Sequence, residues 1–257
     1  MKKIMSFVVV LGITGAMNAQ MVSKKGENYL PQAGDWSIGV DGGSMVNYFG
    51  NMLNNSAGNG LSFDYTNADA MITGKMFKTD KMAYRAALRI GMHSNTTTTP
   101  VADASDPAKW VNNEEKVSSN FIGLGAGLEQ RRGSTRLQGY YGAMAMLSYG
   151  GGKTTYKYGN PDVAGNISEE KLGSTIGVGV RGFIGAEYFV LPKISVGGEF
   201  GWGLGFHSTG AASTTTSNGD GTSTTVDGGK ESGFGIDTDN SSMGMAPAGN
   251  LTINFHF

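Results

Sequence analysis

Apolar and polar residues alternate with a period of two along most of the chain beyond residue 35, and no segment there keeps an apolar stripe at helical spacing. Alternation of this kind marks strands whose two faces meet different surroundings. Eight such runs are legible. The first sets Trp36, Ile38 and Val40 against Ser37, Gly39 and Asp41 and continues towards Phe49. The second, Leu61 to Phe77, places Leu61, Phe63 and Tyr65 on one parity and Ala70, Ile72 and Met76 on the other, which a bulge near Asn67 reconciles. Four more follow, through Met82–Met92, Ile122–Leu128, Leu137–Tyr149 and Ile176–Tyr188. A seventh runs from Ile194 to Phe206, and Leu251, Ile253, Phe255 and Phe257 carry the eighth.

The connections differ in length in a regular way. Short ones surround Lys78-Thr79-Asp80-Lys81, Arg131-Arg132-Gly133-Ser134 and Leu191-Pro192-Lys193. Long polar ones lie near residues 50–60, 94–117, 150–171 and 208–241. Short turns at one end and long loops at the other predict an all-β fold: an eight-stranded antiparallel up-and-down transmembrane β-barrel with short periplasmic turns and long extracellular loops. Aromatic residues fit two interfacial belts, Trp36, Phe77, Tyr84, Tyr188, Phe255 and Phe257 at the short-turn ends and Tyr48, Phe63, Tyr65, Tyr149 and Phe206 near the long loops. Within the last loop, Asn218-Gly219 and Asp220-Gly221 between Thr-rich flanks predict a β-hairpin that extends the seventh and eighth strands.

Composition then adds location. Lys2 and Lys3 precede an apolar stretch from Ile4 to Ile13 that closes on small residues through Ala19, the layout of a secretory signal peptide over residues 1–19. Cleavage after Ala16 competes with cleavage after Ala19. Residues 20–35 then form a short periplasmic segment, and 36–257 the barrel. No Cys is present, which excludes a lipoprotein anchor, a disulfide scaffold and a cysteine-ligated metal site. Removing Lys2 and Lys3 from 20 basic residues leaves 18 against 21 acidic ones, a net charge of −3. Without a basic excess the chain is not suited to nucleic acid. The 42 Gly residues more than double the usual share of about 7%. A mean hydropathy of −0.20 is compatible with a membrane barrel because only alternate strand residues face lipid.

If the apolar parity faces lipid, the other faces the barrel interior. That places Asp41, Lys75, Arg85, Arg89, Glu129, Arg136, Arg181, Glu187 and Glu199 inside. The interior of eight strands is just wide enough for side chains to fill. A plug of paired charges is therefore expected, with inward glycines such as Gly123, Gly125, Gly127, Gly201, Gly203 and Gly205 making room for it. A narrow channel for small or hydrophobic solutes is the alternative reading.

Other motifs carry less. Gly177-Val-Gly179-Val-Arg-Gly182 matches a dinucleotide fingerprint, but that motif needs a strand feeding a helix, and here the alternation continues to Tyr188. His93-Ser94 and His207-Ser208 cannot each supply a nucleophile and base, because adjacent strand residues point to opposite faces. Asp220, Asp227, Asp237 and Asp239 show no calcium-ligand spacing. The expectation is no enzyme, no cofactor and no metal.

The export signal, the eight amphipathic runs and the closing Asn250-Leu-Thr-Ile-Asn-Phe-His-Phe257 resemble small outer-membrane barrels of the OmpA-like transmembrane type over residues 36–257. The Asn-Ala-Gln signal ending and Thr/Gly-rich loops are similar to Bacteroidetes members of that group. The resemblance implies that Leu251, Ile253, Phe255 and Phe257 form the signal read by the barrel-assembly machinery through edge-strand pairing. It implies a monomer in outer-membrane lipid, without the peptidoglycan-binding domain of many relatives. It also implies an envelope-structural role, or loops that present a binding surface to unidentified surface ligands. A few such barrels modify lipid A, which is the least favoured reading.

Overall fold

A computed structural model describes residues 22–23, 25–41, 71–237 and 249–257. They form antiparallel strands β1 (Trp36–Asp41), β2 (Ile72–Thr79), β3 (Met82–Ala102), β4 (Trp110–Arg132), β5 (Leu137–Lys157) and β6 (Ile167–Leu191). These are followed by β7 (Ile194–Thr209), β8 (Ser213–Ser217), β9 (Ser223–Asp227), β10 (Glu231–Asp237) and β11 (Gly249–His256). Strands β1 to β7 pair in chain order. β11 then pairs with both β7 and β1, so the hydrogen bonds close into a ring of eight strands. Along every strand of the ring the alternation read from the sequence becomes two faces. Leu124, Leu147, Val178 and Phe206 are about half exposed on the outer face, while Ser37, Thr73, Ser195 and Asn254 are buried inside. The distribution is the reverse of a water-soluble sandwich, which turns its apolar parity inward.

Short turns at one end join β2 to β3, β4 to β5 and β6 to β7. The last contains Lys193 at φ 61°, a left-handed conformation that a non-glycine residue adopts only when its surroundings hold it there. At the other end the regions expected as polar loops are largely strand. β3 pairs with β4 without a break out to Ala102 and Trp110, and β5 and β6 extend through Lys157 and Ile167. Thr96–Thr99 and Pro100 lie within this extension, opposite Asn112–Lys116. With polar residues on both faces such strands have no apolar parity to reveal them, although Thr and Val favour extended backbone.

The last connection differs from expectation in two ways. The predicted hairpin forms as β8 and β9, with Gly219 and Gly221 at φ 81° and 84°, but it is β6 that β8 joins. The long β6 reaches above the ring and offers β8 its free edge at Ile167–Lys171. Part of the expected loop is also strand: β10 pairs with the upper part of β7, and β11 pairs with the lower part. The outward Phe234 of β10 meets Phe206 with ring centroids 6.0 Å apart. The signal segment 1–19, the run through Leu61, Phe63 and Tyr65, the bulge near Asn67, and Tyr48 and Asp239 lie outside the described residues.

Candidate functional site: the charged interior of the ring

Parity brings six of the nine expected interior charges together. Lys75 Nζ lies 3.0 Å from Glu129 Oε2 and 3.7 Å from Glu187 Oε2, with the Tyr140 ring 4.8 Å away. Arg85 bonds Glu199 and lies 3.5 Å from Glu129, its guanidinium 4.4 Å from the centre of the Phe183 ring. Arg181 donates to the other oxygen of Glu199 at 2.6 Å. These six side chains come from five strands, β2, β3, β4, β6 (which supplies both Arg181 and Glu187) and β7, and so tie the ring together across its axis.

Glu187 is the hub of the lower tier and is fully buried. One oxygen receives Arg131 Nη2 at 2.6 Å; the other receives the Ser195 hydroxyl and Asn254 Nδ2 and lies 3.1 Å from His256 Nε2. Arg131 was legible only as a turn residue beside Arg132-Gly133. It sits instead on β4, in the same inward parity as Glu129, and bridges Glu129 and Glu187. Continuing the alternation by one step beyond Glu129 would have found it. Its guanidinium faces the rings of Phe77 and Phe189. Phe77 therefore does not belong to an outer aromatic belt: at 1% exposure it faces inward, because it shares the parity of Thr73 and Lys75.

The remaining expected charges are placed differently. Arg89 is half-buried, and its guanidinium stacks on Phe121 at 4.4 Å. Arg136 lies on the turn just before β5, with its guanidinium 3.6 Å from the centre of the Tyr29 ring. Asp41 pairs through its backbone with Thr252, and its side chain lies outside the described residues. In β11, Leu251 and Phe255 are exposed on the outer face while Asn250, Thr252, Asn254 and His256 are buried.

The interior is not polar throughout. Met71, Ala87, Tyr140, Met144, Met146 and Phe183 form a buried apolar cluster beside the upper ion pairs. Glycine makes this filling possible at close approaches. A Cβ at Gly201 would collide with the Arg181 guanidinium, and one at Gly142 with the Leu128 carbonyl and the Phe183 ring.

Residues 29–35 cross the short-turn end and fasten its turns. Tyr29 is buried and its carbonyl accepts the Lys193 amide at 3.3 Å, the Ala33 amide donates to Asp80 at 2.9 Å, and Gly34 donates to the Phe77 carbonyl at 2.8 Å. The Lys193 ammonium pairs with Asp35. Burial works against the Asp35 carboxylate, but Lys193 and the Gln32 amide together hold it below the usual range.

Ser195, His256 and Glu187 form a triangle that does not match a nucleophilic relay. Ser195 Oγ is 3.3 Å from His256 Nε2, and Glu187 occupies the same nitrogen, while Nδ1 has no hydrogen-bond partner among the described residues. A relay would need the acid on the opposite ring nitrogen from the hydroxyl. Near the other end His207 Nε2 lies 4.0 Å from Glu231, and the Ser94 hydroxyl meets Ser118. Gly177–Gly182 lies mid-strand in β6 and is paired on both sides. Among the described residues no three His, Asp or Glu side chains are arranged to hold a metal ion.

The architecture is thus an antiparallel ring of eight strands, apolar outside and crossed by buried ion pairs inside. No protein-family model, curated protein or solved structure matches the chain.

Proposed function

We propose that this chain is an integral outer-membrane β-barrel whose interior is plugged. In this reading it holds the extended hairpins as a surface for envelope integrity or for binding surface ligands. Export by the cleavable signal delivers it, and β11 is the strand recognised during assembly. It is a monomer without catalytic activity. The observation that carries the reading is the inverted distribution of polarity: a closed ring with apolar side chains outside and a buried ion-pair network within. The dimensions agree. On β5 the outward side chains from Leu137 to Tyr149 span about 40 Å of strand, or about 30 Å of height at a tilt near 40°, close to an apolar band of ~25 Å with its aromatic borders. Beyond them the outer face turns to Lys153, Thr155 and Lys157.

The three tryptophans test the reading. Trp36 and Trp202 are 63% and 53% exposed on the outer face, and Trp110 is 70% exposed at the start of β4, outside the apolar band. In single-tryptophan variants reconstituted into vesicles with brominated acyl chains, fluorescence of Trp202 and Trp36 is quenched and that of Trp110 is not. Equal quenching at Trp202 and Trp110 contradicts the proposed placement.

A further inference from the structure

Three exposed cations cluster on the short-turn margin of the outer face: Lys78 on β2, Lys81 in the β2–β3 turn and Arg132 at the end of β4. The Arg131 amide donates to the Lys81 carbonyl at 2.8 Å, and β3 separates β2 from β4, so the three lie within about two strand spacings, roughly 10 Å. None has a carboxylate partner within an ion-pair distance among the described residues. The nearby carboxylates are committed to the segment that crosses this end: Asp80 to the Ala33 amide, Asp35 to Lys193. Even counting Asp80, the cluster keeps an excess of two positive charges. At the hairpin end four of the six described lysines, Lys109, Lys153, Lys157 and Lys171, pair with an Asp or Glu, whereas Lys116 and Lys230 have no ion-pair partner among the described residues.

The surroundings of the cluster are amphipathic. The Lys78 ammonium lies 5.7 Å from the centre of the Tyr84 ring, so its stem runs along the outer face towards the apolar band. Tyr84 and its register partner Leu128 are exposed on the band side of the cations. Arginine supplies a fork suited to phosphate oxygens, and the two lysines supply point charges.

We propose that Lys78, Lys81 and Arg132 form a docking site for the phosphodiester headgroup of an anionic glycerophospholipid, whose acyl chains lie over Tyr84 and Leu128. The inference rests on the membrane reading above and adds a lipid preference to it. The cations sit where strand ends meet the headgroup layer, and their uncompensated charge complements an anionic lipid rather than a zwitterionic one. A screened interaction of this kind weakens as ionic strength rises.

The test uses the full chain inserted into vesicles of phosphatidylcholine alone, or of equimolar phosphatidylcholine and phosphatidylglycerol. Protease protection reports insertion. Native mass spectrometry after mild detergent extraction then reports retained lipid. The wild type is expected to retain phosphatidylglycerol over phosphatidylcholine by about tenfold, a preference that falls with added salt. The triple variant Lys78→Gln, Lys81→Gln, Arg132→Gln is expected to lose it, whereas Lys153→Gln with Lys171→Gln keeps it. If the triple variant does not insert, Arg132→Gln alone provides the comparison and is expected to lose part of the preference. No preference in the wild type, a preference surviving these substitutions, or displacement of the lipid by inorganic phosphate as readily from the Lys153 and Lys171 variant as from its cluster counterpart overturns the site. Failure of the wild type to insert even into phosphatidylcholine overturns the barrel reading instead.

Discussion

Glu187→Ala is expected to destabilise the folded ring by about 3–5 kcal/mol, because it leaves buried cations without their shared counter-ion. Glu187 is the meeting point of Arg131, Lys75 and His256, and it also accepts from Ser195 and Asn254. Glu129 can still serve Lys75 and Arg131 after the change, but it already faces Arg85 as well, so one carboxylate would answer three cations. Urea unfolding in lipid vesicles measures the loss. Glu187→Gln is expected to cost less, since it keeps an accepting oxygen. A double-mutant cycle with Arg131→Ala isolates the coupling between the two side chains. A loss below about 1 kcal/mol for Glu187→Ala would mean that water reaches these groups and that the network does not hold the strands together.

The second large effect concerns the outer face. Leu147 is 49% exposed on β5 and lies between Leu124 and Val178 on neighbouring strands. In a ring surrounded by water, arginine at such a position is nearly neutral. In a bilayer Leu147→Arg is expected to cost about 2–4 kcal/mol, the usual penalty near mid-depth. Thr155→Arg, eight residues further along the same outer parity and above the band, should change stability by less than about 0.5 kcal/mol. The comparison is made by the same unfolding measurement. Equal tolerance at both positions argues against lipid around the ring.

The ring was legible from sequence wherever its two faces differ chemically. Alternation through Lys75, Arg85, Glu129, Arg181, Glu187 and Glu199 was enough to place these groups on one side, because their neighbours of the other parity, Gln130 excepted, are apolar or small. It was less informative where a strand meets a turn. Arg131 beside Arg132-Gly133 looks like a polar connection, yet the strand continues to Arg132 and turns Arg131 inward. Phe77 shows the converse, an aromatic near a strand end whose parity, not its position, decides that it packs against Arg131 and His256.

Alternation says nothing where both faces are polar. The extensions of β3 to β6 above the ring are therefore invisible to it, although their Thr and Val content favours strands. The attachment of β8 to β6 depends on a free edge created by a distant part of the chain, which no local pattern encodes. β10 lies in the stretch expected as a loop: Phe234 and Ile236 alternate with Gly233 and Gly235, two apolar positions too few to stand out from a region rich in Gly, Ser and Thr.

Planar-bilayer recording distinguishes a membrane ring filled by its own side chains from an open one. Purified protein, shown by protease protection to be inserted, is expected to give no large, stable conductance, because Lys75, Arg85, Arg131, Arg181 and their three glutamates, together with Tyr140, Met144 and Phe183, fill the interior. A large, long-lived conductance step with ion selectivity that reverses on charge reversal at Arg85 or Glu199 would contradict it, and would establish a channel in place of a plug.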